Sequence, residues 1–395
     1  MKLKTITLLT LAGLTANVFA EEADKNEAKT TLDFRLRYEN VGQDNPLEDA
    51  SALTLRTLLN YTSKSYSGFS GFIEFEDSRV VAGIDDYNDG NGSKPDYSVV
   101  ADPETTELDQ GYVKWAGSGL TAKVGRQVIT FDNHRFVGHV GWRQDKQTFD
   151  GATFNYKLGK DLDLNYAYVT QRNRIFGEEK DLKSKDHMLN ASYNLGFAKL
   201  TGYGYLLEVD NNTDNSLNTF GVRLAGSTDV SKLKVSYQAE FATQTSDTAG
   251  VEFTAPYYLL EAGAGFSGIM AKLGYESLGS DDGLYGFSTP LATLHKFNGW
   301  SDQFLNTPVQ GLNDLYVSLS GKLFEGNWAF IYHNFTAAES TALVDDLGNE
   351  INAQYTQKFG GRYSAGLKFA MYSAGDAGAG KVDTDKVWLW MTARF

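Results

Sequence analysis

Arginine and lysine occupy alternate positions in several extended stretches of this chain, as Arg35 and Arg37 do in L-D-F-R-L-R-Y-E and Arg56 in L-T-L-R-T-L-L. A guanidinium is a planar fork that takes carboxylates bidentately, and an ammonium is a point charge. Cations repeated on one face of a strand therefore form a wall that attracts anions; they do not form a reaction centre. Catalysis has little footing, because there is no cysteine and the five histidines, His134, His139, His187, His295 and His333, are scattered along the chain without a convergent nucleophile or base. Neither catalytic residues nor a cofactor is expected.

Two longer segments join charge to hydrophobicity. Segment 128–146 interleaves Phe131, Phe136, Val137, Val140 and Trp142 with Asp132, His134, Arg135, His139, Arg143 and Asp145. Segment 278–311 sets Phe287, Leu291, Leu294, Phe297, Trp300 and Phe304 around His295, Lys296 and Asp302. An exposed loop has no use for so many large apolar groups. Both segments are expected to fold inward and to leave their cations at a narrow point. The acidic run Asp85 to Gly92 hints at a divalent ion, but it lacks the Glu at the twelfth position of an EF-hand. It reads as a solvated loop, and no metal site is expected.

The elements that must position these groups are strands. Leu32, Phe34, Leu36 and Tyr38 alternate with Asp33, Arg35, Arg37 and Glu39, and Leu233, Val235, Tyr237, Ala239 and Phe241 alternate with Lys234, Gln238 and Glu240. Side chains of a strand point to opposite faces in turn, so one face is hydrocarbon and the other is polar. That is the pattern of a transmembrane barrel with a wet lumen. Forty Gly, 22 Tyr and 24 Phe beside six Pro suit twisted strands, tight turns and aromatic girdles. Met1 to Ala20 reads as a signal peptide, with Lys2 and Lys4 before the apolar run Ile6 to Leu14 and V-F-A at the cleavage point. The remainder, 21–395, reads as one domain.

Scanning for dyads gives about eighteen strands. Short connections alternate with long ones, and 78–105, 128–146, 172–186, 278–311 and 336–349 are the long ones. An even count requires a strand at 350–359 and places both ends in the periplasm. The fold class is therefore an all-β antiparallel transmembrane barrel in a Gram-negative outer membrane. The final strand, K-V-W-L-W-M-T-A-R-F, is apolar on its outer face and ends in Phe395, so it would be read by the barrel-assembly machinery and would pair with Thr31–Asn40. Its Trp388 and Trp390 fall on the inner face.

Parity turns Arg35, Arg37, Arg56, Lys114, Lys123, Lys199, Arg223, Lys234, Lys272, Lys358 and Lys368 inward, with Asp33, Glu39, Glu74, Glu76, Asp163, Glu240, Glu276 and Asp314. The wall leans cationic although the whole chain carries −14, so the acidic excess belongs to the loops. Rings of Arg and Lys favour anions in a narrow channel. The plainer alternative is that wall charges pair across strands and keep the lumen wet.

The stretches G-R-Q at Gly125–Gln127, R-F-V-G at Arg135–Gly138, W-R-Q at Trp142–Gln144 and T-F-D-G at Thr148–Gly151 resemble the alginate-export family of outer-membrane porins. So do S-T-P-L-A-T-L-H-K-F-N-G-W-S-D-Q-F at Ser288–Phe304 and G-L-N-D-L-Y at Gly311–Tyr316, and the resemblance runs from about residue 30 to the end. It implies a monomeric 18-stranded barrel, set in lipid and lipopolysaccharide, whose arginine-lined lumen passes an anionic polyuronate or related saccharide. It also implies that Arg126, Arg135 and Arg143 face the solute, with Asp132 and Asp150 holding them. Arg126 shares the parity of Leu120, Ala122 and Val124, and Arg on the lipid face at mid-membrane costs about 2–4 kcal/mol. A bulge at Gly125 or a rim position is therefore expected. The competing functions are a general or small-organic-acid uptake porin and, in a different class, a barrel-anchored enzyme or adhesin.

Overall fold

In the computed structural model, which describes residues 27–395, the chain is an up-and-down barrel. The signal-peptide reading lies outside the described residues. The first nine strands are β1 (Lys29–Gln43), β2 (Ala50–Thr62), β3 (Phe69–Asp86), β4 (Thr105–Gly117), β5 (Leu120–Gln127), β6 (Thr148–Leu158), β7 (Leu162–Asn173), β8 (Leu182–Asn194) and β9 (Ala198–Leu207). They are followed by β10 (Asn215–Val230), β11 (Leu233–Thr248), β12 (Val251–Phe266), β13 (Ile269–Leu278), the two-residue ribbon β14 (Ser280–Asp281) and β15 (Tyr285–Gly286), and then β16 (Leu312–Leu323). The last four are β17 (Gly326–Thr336), β18 (Asp346–Phe359), β19 (Tyr363–Ser373) and β20 (Thr384–Arg394). Excluding the ribbon, these strands form one 18-stranded sheet. Each of the eighteen expected strands is present, the one at 350–359 included.

Closure is made by the two ends of the chain. β1 pairs antiparallel with β20 from Asp33↔Arg394 to Gln43↔Thr384. The amide of Leu32 donates to the Phe395 carbonyl at 3.0 Å, and that of Phe395 returns the bond at 2.9 Å. Arg394 adds an ion pair to Asp33 at 3.0 Å. A closed ladder leaves no strand edge in the bilayer, where an unpaired backbone group would cost several kcal/mol.

The alternation sorts side chains in the sense opposite to a soluble protein. Outward apolar residues are the exposed ones, with Val124 and Leu260 both at 61%, whereas lumenal Arg37 and Glu39 are at 1%. Several hairpins turn on an X-Gly pair with both residues at positive φ, as at Ser118 (50°) and Gly119 (81°), or Ser267 (51°) and Gly268 (84°). That geometry matches the twist of the flanking strands.

Two expected loops are shorter than the hydrophobic pattern indicates. β3 runs to Asp86, well into 78–105, and β7 and β8 run to Asn173 and from Leu182, into 172–186. Above the membrane no apolar outer face is needed, so the alternation fades while strand pairing continues, tied there by Arg172 to Asp186 at 2.7 Å.

Gly125 has φ of +128°, and a Cβ added to it would lie 2.2 Å from the Gly111 carbonyl oxygen. Gly125→Ala should therefore lower barrel stability by at least about 1–3 kcal/mol. Conversion of the compact electrophoretic form to the unfolded one at a lower temperature would show it; an unchanged transition would mean β4 and β5 separate easily.

Candidate functional site: the lumenal constriction

The segment between β5 and β6 (128–147) and that between β13 and β16 (279–311) fold into the lumen and meet there. Val137 and Leu291 form a parallel bridge, Gly138 N donates to the Leu291 carbonyl at 2.8 Å, and Thr293 N donates to the His134 carbonyl at 3.1 Å. Gly138 allows the contact, since a Cβ there would lie 2.2 Å from Thr293 Oγ1. Ile129, Val137, Phe287, Leu291 and Phe304 pack with the wall residues Tyr203, Tyr205, Tyr257, Phe335 and Tyr372. The hydrophobic core thus lies inside the barrel, and the apolar groups of both segments account for it. Burial of this kind contributes roughly 25 cal/mol per Å².

One wall of the constriction is built on β1. Arg35 donates Nε to Gln144 Oε1 at 2.8 Å, Nη1 to the Gly141 carbonyl at 3.0 Å, and Nη2 to the Arg143 carbonyl. Gln144 is fully buried and reaches past β1 to Thr54 of β2, donating to its Oγ1 at 2.8 Å. Arg37 binds the Trp142 carbonyl and Asp102. Arg143 donates to both oxygens of Glu39, at 2.9 and 3.2 Å, and to Asp302 at 3.1 Å. Lys386 also reaches Asp302, at 2.9 Å. Burial alone would push the Asp302 carboxyl up, but the hydrogen bond from His295 and the charges of Lys386 and Arg143 outweigh it and hold Asp302 well below the usual carboxylate range. Burial likewise opposes the Arg143 charge, and Glu39, Asp102 and Asp302 overcome it and raise its pKa.

Lys368 of β19 completes this wall without a carboxylate. Its Nζ lies 3.8 Å from the ring centre of Trp142, 4.2 Å from that of Trp300 and 5.7 Å from that of Trp388. These are cation–π distances. His295 Nε2 is 3.0 Å away, and because an ammonium only donates, Nε2 must accept. The proton is therefore on Nδ1, which donates to Asp302 Oδ1 at 2.7 Å. Burial pushes His295 down to about 3, so it is a neutral link in this chain. Trp388 is fully buried and Trp142 packs edge-on against Trp388 and Trp390, so the inward tryptophans lie under a folded loop.

A separate stretch of wall, at β13 and β16, holds Arg135. Its Nε donates to Glu276 at 2.6 Å and its Nη2 to Asn298 at 3.0 Å, with the guanidinium 4.8 Å from the Phe297 ring centre. Asn298 in turn donates to Glu276 at 2.8 Å and to Asp314 at 3.2 Å. Both arginines of segment 128–147 are consequently closed into carboxylate networks. The expectation that Arg135 and Arg143 face the solute with Asp132 and Asp150 as their partners is corrected: both are buried, and their acids are Glu276, Glu39 and Asp302, because a guanidinium taken out of water needs a carboxylate.

Other expected residues are dispersed. Arg126 stays in continuous register one residue from the outer end of β5, facing Asp150 across the ladder at 2.8 Å. It is a rim ion pair and does not line the pore, and no bulge is needed at Gly125. Asp132 holds no arginine; it accepts from Asn190 at 2.7 Å and lies 3.7 Å from Lys199. Arg56 pairs with Asp33 at 2.9 Å, and Arg223 with Glu240 at 3.4 Å. Lys296 donates to the Asn133 carbonyl at 2.8 Å and is pushed down to about 8 by burial and the nearby Arg223 and Lys272. Lys114, far below the constriction near the β4–β5 turn, has no ion-pair partner among the described residues. The residues missed are the partners Asp102, Gln144, Asp302 and Lys386. Arginines carried into a lumen and covered had to meet acids, and that requirement was the available signal.

Arg143→Ala removes a charge that Glu39 and Asp302 both need, and breaking such a buried pair costs about 3–5 kcal/mol. The variant should show a lower thermal transition and larger, noisier single-channel currents; an undisturbed current would mean the loop is held by its apolar contacts alone. Acid should act in the same direction. His295 and His134 titrate at about 3 and about 4 in the folded loops against 6.5 when exposed, burial being the first cause in each. The undocked loops bind those protons more readily, so docking is complete above pH 6.5 and weakens as pH falls toward 4. Conductance recorded from pH 7.5 to 4 should become unsteady at the acid end, and His295→Gln should reduce the effect.

The family model for alginate export matches residues 25–274. The Ser288–Phe304 and Gly311–Tyr316 stretches lie beyond that match. Among solved structures, the chain is similar to OccAB1 of Acinetobacter baumannii at 14% identity, covering 93% of this chain and 96% of that one, with a TM-score of 0.73. It is also similar to OpdK of Pseudomonas aeruginosa, solved with vanillate, at 13% identity, covering 94% and 99%, with a TM-score of 0.73. No curated protein matches it. The chain belongs to the alginate export family and is an 18-stranded porin channel of the Gram-negative outer membrane.

Proposed function

We propose that the pore conducts an anionic saccharide of the uronate class by passive diffusion, with the two inward segments setting the aperture. The observation that carries this reading is the kind of charge left over once the lumen's ion pairs are made. Among the described residues, Lys114 and Lys234 have no hydrogen-bond or ion-pair partner, Lys123 meets only the Tyr112 ring at 4.8 Å, and Lys368 meets only aromatic rings and neutral His295. The wall cations left without a carboxylate are thus lysines: Lys114, Lys123 and Lys234, half-exposed on the periplasmic half, and Lys368, buried under aromatic rings at the constriction. Water screens them less in a narrow passage than in bulk, so they draw carboxylates. A passive pore serves export and uptake equally.

The fill of the lumen favours a second reading, uptake of small organic acids. The docked segments narrow the passage, and OpdK, which shares this fold, was solved with vanillate. The two readings share the carboxylate and differ in solute size.

Reversal potentials across planar bilayers under a salt gradient, followed by block with oligouronates, neutral oligosaccharides and small aromatic acids, separate them. Anion selectivity with block by oligouronates, but not by neutral sugars, is expected. Lys114→Glu combined with Lys234→Glu should shift the reversal potential toward cation preference while leaving the docked loops intact. Block by small acids alone would favour the second reading, and cation selectivity without any block would sink both.

A further inference from the structure

The same segment that places Arg143 on the cationic wall turns its next residues toward β3 and β4, where the charge balance reverses. Glu76 of β3, Asp109 of β4 and Asp145 of the segment each bring a carboxylate oxygen within 4.8 Å of the others. All three are at least nine-tenths buried, and so is Glu74 beside them. A break in register assists the approach: Glu74 pairs with Gln110 and Phe75 with Leu108, so Asp109 is the extra residue of a bulge. Leu108 then keeps the lipid side while Asp109 turns inward.

The one ammonium present is Lys146. It binds Asp109, reaches Glu74 at 2.8 Å and comes no closer than 3.6 Å to Glu76. Lys146 is thus the one cation in ion-pair contact with this group of Glu74, Glu76, Asp109 and Asp145, while Arg56 and Arg35 act on Glu76 only from a longer distance. Elsewhere in the lumen Glu39, Asp102, Asp302, Glu276 and Asp314 are each hydrogen-bonded. Here both oxygens of Glu76 and Oδ2 of Asp145 are buried with no hydrogen-bond donor. That is an observation separate from the clustering, since acidic residues can gather and still be satisfied by donors. Burying a carboxylate with no partner costs several kcal/mol.

We infer that Glu76, Asp109 and Asp145 hold a hard divalent cation of the calcium type, which clamps the inward segment to the barrel wall. An all-oxygen donor set with several carboxylates is what such ions prefer, and ligands from three separate elements suit calcium's irregular coordination. The ion would leave the Lys146 contacts in place and supply the charge that one ammonium cannot. Its position beside Arg143 and Gln144 would make the aperture depend on divalent cations, whichever solute passes.

Equilibrium dialysis against calcium, on barrels refolded in detergent without lipopolysaccharide, tests the site. The expected result is a tightly bound equivalent per barrel that is lost in Asp145→Asn and in Glu76→Gln. It should be kept in Asp89→Asn, which alters the acidic outer loop instead. Folding of each variant is checked by the compact electrophoretic form, and Glu76→Gln serves if Asp145→Asn does not fold. In the wild type, a chelator should expose segment 128–147 to protease. Absence of stoichiometric calcium in the wild type would overturn the inference, as would full retention in both lumenal variants.

Discussion

A charge taken out of water must find an opposite charge or a set of dipoles, and the interior of this barrel is organised around that requirement. The dyad pattern sends hydrocarbon to lipid and leaves polar groups to the lumen, which would be harmless in a wide aqueous pore. Once two segments fold inward and expel water, each lumenal charge they cover has to be matched. Arg143 between Glu39 and Asp302, Arg135 against Glu276, and Arg37 against Asp102 are the matches made. The segments are held by these pairs together with the apolar cluster of Phe287, Leu291 and Phe304.

This requirement also divides the constriction into unlike sides. On the β1 side Arg35, Arg37, Arg143, Lys368 and Lys386 meet Glu39, Asp102 and Asp302, leaving cations in surplus. Across the same loop Lys146 stands among Glu74, Glu76, Asp109 and Asp145, leaving acids in surplus. Lys368 tolerates the lack of a carboxylate because three indole faces and a neutral imidazole surround it. Tryptophans that would serve as girdle residues on the outside of a barrel here shield a cation inside it.

The strands were legible because their signal is local. Period-two alternation needs only neighbours in sequence, and the seam between β1 and β20 followed from parity. The inward course of 128–147 and 279–311 was legible too, from large apolar groups such as Phe136 and Trp300 where solvent would not keep them. The pairing of charges was not legible. Asp102 reads as one acid among many in a solvated loop, and only its depth beside Arg37 distinguishes it. Arg126 had the opposite difficulty: its family motif suggested a lumenal role, but parity and register keep it on the outer rim with Asp150. Asp132, close in sequence to Arg135, turns away to Asn190. Sequence proximity says little about ion pairing when the partners lie on strands far along the chain.

The network around Asp302 draws on both ends of the polypeptide. Glu39 belongs to the first strand, Lys386 to the last, and Arg143 and Asp302 to the loops between. These groups can converge only after β1 and β20 have zipped together, since an open sheet holds its two edges apart. A barrel whose seam has not closed therefore lacks part of the electrostatic seat on which its loops rest. Closure of the wall and narrowing of the passage thus share the same ion pairs.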